Sequence, residues 1–85
     1  MMTSEQLAAI TVAKIIDARG SACPGPLLEA KKGIGAVKVG QIIEVKSNDQ
    51  GSRQDISAWA AKIGHEFLGL IQADGHDRIF VCRKK

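Results

Sequence analysis

Eighty-five residues make one small domain, and a chain of this size buries only about 60% of the surface it exposes when unfolded. A hydrophobic fraction of 45%, with one tryptophan, two phenylalanines and no tyrosine, leaves the core to Ile, Leu, Val and Ala. A net charge of +3, spread from Lys14 to Lys85, slightly favours acidic partners without demanding nucleic acid; two cysteines exclude a disulfide-stapled scaffold, and no run approaches the ~18 apolar residues of a membrane span.

Residues 1–12 read as a loose N-terminal arm, with at most a helical turn after Ser4. The opening "MMTSEQLAAI" has no positive n-region and its apolar stretch is broken by Ser4, Glu5 and Gln6, so no secretory leader is expected and the expected home is the cytoplasm, where thiols stay reduced. "VAKIIDA", 12–18, is rich in β-branched residues and predicts a first strand. After the turn "ARGSA", a helix pattern runs from Pro24 to about Val37, with Leu27, Ala30, Ile34 and Val37 on one face and Glu29, Lys31 and Lys32 outside. Gly33 and Gly35 weaken it.

"QIIEVKS", 41–47, predicts a second strand with Ile43 and Val45 on one face and Glu44 and Lys46 on the other. The clearest helix is "RQDISAWAAKIG", where Ile56, Trp59, Ala60 and Ile63 fall at i, i+3, i+4 and i+7 and Gly64 stands at the C′ position. Asp49 or Ser52 is its expected N-cap, and Ser52 with Asp55 resembles a capping box. "HEFLGLIQA", 65–73, and "DRIFVCRK", 77–84, predict two more strands joined by the hairpin "ADGH". The order βαβαββ implies an α+β fold: a two-layer α/β sandwich with a four-stranded mixed sheet and two helices on one face. The other face is then open unless something covers it, and the faces of Leu68 and Leu70 are not assigned by the pattern.

The chemistry concentrates in Cys23-Pro24-Gly25-Pro26. The N–H groups of a first helical turn have no intrahelical acceptor, so both prolines sit where no hydrogen bond is lost. Pro24 suits the first helical position and drives Cys23 toward the extended backbone of an N-cap. The prolines start the helix and fix the cysteine at its tip. There the helix dipole and the remaining N–H groups favour the thiolate, moderately, because two donors are lost to the prolines. Gly25 leaves room for a partner to approach. Cysteine is a poor cap compared with Ser, Asp or Asn, so capping alone does not explain it.

No second cysteine stands two or three residues away and no base is adjacent. A lone acidified thiol of this kind is suited to accepting sulfur from a donor persulfide and yielding it to an acceptor thiolate. His65 and His76, at strand ends, read as ordinary surface histidines, and Cys82 in the last strand as a packed core residue. Cys23, His65, His76 and Cys82 lack the spacing of a zinc site, so no metal is expected, and a Cys23–Cys82 disulfide is not expected in a reducing compartment. Two other readings remain beside the carrier: an RNA-binding module, which lacks stacking aromatics, a Gly-rich clamp and a basic stripe, and a regulatory interaction domain in which Cys23 is incidental.

"DARGSACPGPLLEAKK", "VKVGQIIEVKSND" and "SRQDISAWAAKIGHE" together resemble the TusA/SirA-like sulfur carrier proteins with their Cys-Pro-x-Pro motif, over roughly residues 14–84. The resemblance implies a βαβαββ sandwich and a persulfide on Cys23, with Pro24, Gly25 and Pro26 framing it. It implies a cysteine desulfurase or rhodanese-like donor, a DsrE-like or other thiol acceptor, and a relay serving tRNA thiolation or sulfur metabolism. No cofactor, no membrane contact and no direct nucleic-acid contact are expected. Arg53 and Asp55 match the family's Arg-Asp pair and are expected to support the site. Arg19, Lys31 and Lys32 are expected to meet an acidic partner surface. The family often has Asp-Pro before the second helix, whereas here Asp49 is followed by Gln50.

Overall fold

The computed structural model of the chain describes residues 3–20, 25–49 and 51–85. Its elements run α1 (Ser4–Ala8), β1 (Lys14–Asp17), α2 (Gly25–Gly35), β2 (Ile42–Ser47), α3 (Gly51–Ile63), β3 (Glu66–Ala73) and β4 (His76–Cys82). The four strands form one sheet in the order β1-β2-β4-β3. β1 and β2 are parallel, and β4 lies antiparallel between β2 and β3. The predicted mixed sheet is therefore present, with an additional helix in front of it.

The main core lies between the sheet and α2 and α3. Ala30 and Ile34 from α2, Val37 just beyond it, and Ile56 and Ala60 from α3 pack on Ile16, Ile43, Val45, Ile79 and Val81. The apolar stripe of α3 stops at Ala60, because Ile63 is 46% exposed. Gly33, which weakens α2 as a sequence, is required by its packing: a Cβ there would lie 1.9 Å from Cδ1 of Ile16, so helix and strand touch at the glycine. Gly64 ends α3 as expected, at φ +98, with the His65 N–H reaching back to the Ala60 carbonyl at 2.8 Å in the Schellman arrangement.

The opposite sheet face is covered in part by the segment read as a loose arm. Thr3 accepts from the Gln6 N–H and the Gln6 side chain returns the bond, a capping box that starts α1. Leu7, 1% exposed, then seats on Leu68, Phe80 and Cys82. β3 carries a bulge: Phe67 pairs with Val81 and Gly69 with Phe80, leaving Leu68 as the extra residue. Leu68 thereby turns to the α1 side while Leu70 packs on the main core, and Gly69 takes the positive φ, +138, at the bulge.

α3 begins one residue before Ser52, which corrects the expectation of a Ser52 cap and its capping box. The Ser52 hydroxyl instead turns inward onto the Ser47 hydroxyl at 3.1 Å. Asp49 supplies the acceptors at this end, its Oδ1 to the Gly51 N–H at 3.2 Å and its carbonyl to the Ser52 N–H at 3.1 Å.

Candidate functional site

Because β1 and β2 are parallel, the connections that follow them leave the sheet at the same end. β4 enters at that end too, since Ser47 pairs with Asp77. The loop before α2, the loop before α3 and the β3–β4 turn therefore converge. Cys23 and Pro24 belong to the first of these loops and lie outside the described residues. On their far side, Gly25 opens α2 and Pro26 is buried in its first turn, where a missing N–H costs no helical bond. On their near side, the Gly20 N–H donates to Oδ1 of Asn48 at 3.0 Å.

The start of α3, the segment before it and the β3–β4 turn enclose an open cleft of about 280 Å3 whose lining includes Asn48, Arg53, Gln72, His76 and Asp77. Arg53, expected with Asp55 to support the site, is engaged across the cleft. Nε and an Nη of Arg53 hold both carboxylate oxygens of Asp77, at 2.6 and 2.9 Å. The bond to Asp77 raises the Arg53 pKa further, against the opposing effect of burial. Asp77 was missed from the sequence, although a signal existed: it shares the parity of Ile79 and Val81, which face the core, and a carboxylate there needs a cation.

Arg19 is likewise engaged. It grips Asp17 through two bonds of 2.9 and 2.8 Å, and these hold the exposed Asp17 carboxyl well below the usual carboxylate range. Lys31 and Lys32 are exposed on α2, Lys32 within 3.8 Å of Glu29. The structure thus brings Arg53 to the cleft and leaves Lys31 and Lys32 on the helix surface. Asn48 was also missed; its partner lies 28 residues away, and no local signal announces such a bond.

The histidines are far apart. His76 lines the cleft, its Nδ1 3.2 Å from the Asp74 carbonyl, while His65 precedes β3 at the opposite end, roughly 25 Å away along a strand of eight residues. His65 is buried rather than a surface residue: its Nδ1 accepts the Lys84 N–H at 3.1 Å and its ring meets Trp59 edge-on at 5.8 Å. Burial, then the charges of Arg83 and Lys85, lower its pKa. A folded state that resists protonation is fully stable above the unfolded value of about 6.5 and loses stability as pH falls from there toward the lower folded value. Urea unfolding at pH 7.5 and pH 5.5 should show this loss, and His65→Asn should remove it; an identical slope in the variant would assign it to other groups.

Cys82 is a free thiol, 6% exposed beneath α1. It pairs with Ile42 at the start of β2, whereas Asn48, which accepts the Gly20 N–H, follows the end of that strand. The separation is roughly 17 Å along β2, on the face away from α2. Among the described residues no group of three His, Cys, Asp or Glu side chains could hold a metal ion, and no helix is long and apolar enough to cross a membrane.

Comparison with known proteins agrees with this arrangement. Residues 14–83 match the family described as Sulfurtransferase TusA. A candidate sulfur carrier protein of Archaeoglobus fulgidus is 44% identical over 71 residues, covering 84% of this chain and 97% of that one. Sulfur carrier protein TusA of Allochromatium vinosum is 42% identical over 53 residues, covering 62% and 70%. The crystal structure of a SirA-like protein from Desulfitobacterium hafniense superposes with a TM-score of 0.74 at 26% identity, over 85% of this chain and 99% of that one. The chain belongs to the TusA sulfurtransferase family. Its fold is that of the SirA-like protein, with α1 in addition to the two helices expected.

Proposed function

We propose that the protein is a sulfur carrier that works through a persulfide on Cys23. The thiolate of Cys23 attacks the outer sulfur of a donor persulfide; the S–S bond of the donor breaks, the donor leaves as a thiolate, and Cys23 holds the transferred sulfur as a persulfide. An acceptor thiolate then attacks that outer sulfur and regenerates the Cys23 thiolate. No net oxidation occurs in either step. The donor is a cysteine desulfurase or rhodanese-like protein and the acceptor a DsrE-like or other protein thiol, in a cytoplasmic relay for tRNA thiolation or sulfur metabolism.

The observation that carries this reading is the burial of the other thiol. Of the chain's two cysteines, Cys82 is covered by α1 at the far end of the sheet, so exchange with a partner falls to Cys23. Lys31 and Lys32 are exposed on α2, the helix that follows Cys23 in the chain, and they suit a partner with an acidic rim. Arg53 supports the loop end through Asp77, and Arg19 through Asp17. In a two-stage assay the protein is charged by a desulfurase with cysteine, separated, and mixed with an acceptor thiol protein. Wild type should deliver sulfur; Cys23→Ser should keep its circular dichroism spectrum and deliver none. Delivery by Cys23→Ser at the wild-type level overturns the proposal.

A further inference from the structure

Residues 83–85 lie at the end of the sheet away from the cleft and join the ends of α2 and α3. The Arg83 N–H donates to the Gln41 carbonyl at 2.9 Å, and the Gly40 N–H to the Arg83 carbonyl at 2.6 Å. The Arg83 guanidinium reaches the Ile34 carbonyl at 3.3 Å and the Val37 carbonyl just past α2. The Lys84 N–H is held by Nδ1 of His65, and the Lys85 side chain crosses Gly64, where a Cβ would lie 2.8 Å from its Cε. Lys38 and Val39 flank this segment on the α2 side, and Lys62 and Ile63 on the α3 side. All four are exposed, Val39 by 62% and Ile63 by 46%.

The helix ends do not need these lysines as caps. Arg83 meets the carbonyls at the end of α2, and the Gly64 and His65 N–H groups both return to the Ala60 carbonyl of α3. Among the described residues Lys38, Lys62 and Lys85 make no ion pair, and Lys84 pairs with the exposed Glu66 at 3.3 Å. Asp17, Asp49, Asp74 and Asp77 stand at the cleft end instead. The excess positive charge is felt at His65, whose pKa is lowered by burial and then by Arg83 and Lys85. Like charges held together repel one another, and the two aliphatic side chains among them gain nothing from water. A counter-surface relieves both.

We propose that this end of the molecule is a docking surface for an acidic segment of a partner protein: carboxylates of the segment meet Lys38, Lys62, Lys84 and Lys85, and aliphatic side chains set among them cover Val39 and Ile63. RNA fits less well. Its phosphates leave the aliphatic side chains uncovered, and the nearby ring of Trp59 is turned onto the core and His65 rather than offered for stacking. A bilayer also fits less well, because binding at its surface needs a broader apolar face than one valine and one isoleucine. A partner held here leaves the cleft end uncovered, and its binding does not depend on sulfur at Cys23.

The experiment measures, by fluorescence anisotropy and with no sulfur donor present, the binding of a fluorescein-labelled peptide of glutamates with leucines spaced among them. Labelled oligouridylate RNA and vesicles rich in phosphatidylserine are the comparison probes. Wild type should bind the peptide more tightly than either, and added salt should weaken the complex. The triple variant Lys38→Glu, Lys62→Glu, Lys85→Glu should bind it at least about tenfold more weakly. The double variant Val39→Ser, Ile63→Ser should bind it about fivefold more weakly, as part of the transfer free energy of two aliphatic side chains is lost. In wild type the peptide should move the ring resonances of His65 and leave those of His76, at the cleft, in place. That measurement decides the location even where the triple variant fails to fold. No binding to wild type, a folded triple variant or a serine variant that binds like wild type, or a shift at His76 without one at His65 overturns the proposal. Tighter binding of the RNA or the vesicles than of the peptide overturns it as well, and gives the surface to that probe instead.

Discussion

Arg78→Ala is expected to destabilise the protein by about 3 kcal/mol, near the lower limit for stranding a buried charge. Glu44 is 2% exposed and both of its carboxylate oxygens are held by Arg78, at 3.1 and 3.0 Å. Without the guanidinium the carboxylate has neither water nor a counter-charge, and that desolvation dominates the loss. Arg78 itself is partly exposed, which is why the low end of the range applies. Arg78→Lys should recover only part of the loss, because an ammonium does not reproduce the two-pronged geometry. The paired replacement Glu44→Leu with Arg78→Met should be less damaging than Arg78→Ala alone, since it removes the buried charge as well as its partner. Urea unfolding measures each; a loss below about 1 kcal/mol for Arg78→Ala would mean that water reaches Glu44.

Phe80→Ala should cost about 3–5 kcal/mol, a large share of the 5–15 kcal/mol typical of a whole domain. Phe80 is fully buried and is the centre of the cluster that α1 closes with Leu7. The Arg78 guanidinium also stands 5.5 Å from its ring centroid, a distance at which a cation is attracted to the ring face. Because the two side chains touch, the double variant with Arg78→Ala should lose less than the sum of the singles. A double-mutant cycle by urea unfolding checks both statements, and strict additivity would remove the stacking contact from the account.

Both effects arise on the sheet face that periodicity leaves open, which shows where the sequence was readable. α2 and α3 announce their buried faces because Ala30, Ile34, Ile56 and Ala60 recur at helical spacing. β3 does not, since the bulge at Leu68 shifts the phase and puts two leucines of equal parity on opposite faces. Glu44 has the parity of a solvent-facing residue, and its burial depends on Arg78 and on the covering of that face. α1 was half legible: the Thr3–Gln6 box is a local signal, but a single leucine in a five-residue helix gives no period to read. The Cys23-Pro24-Gly25-Pro26 reading rests on the residues alone, since Cys23 and Pro24 lie outside the described residues. The bonds that organise the cleft end of the sheet, Arg53 to Asp77 and Asn48 to Gly20, join residues 24 and 28 positions apart and exist only once the sheet has formed.

The most direct test of the carrier account is to locate the sulfur. The protein is incubated with a cysteine desulfurase and isotopically labelled cysteine, trapped with an alkylating agent that preserves persulfides, and digested for tandem mass spectrometry. The account predicts one added sulfur on the peptide containing Cys23 and none on the peptide containing Cys82. Label on Cys82, or on neither peptide while the desulfurase is turning over, contradicts it.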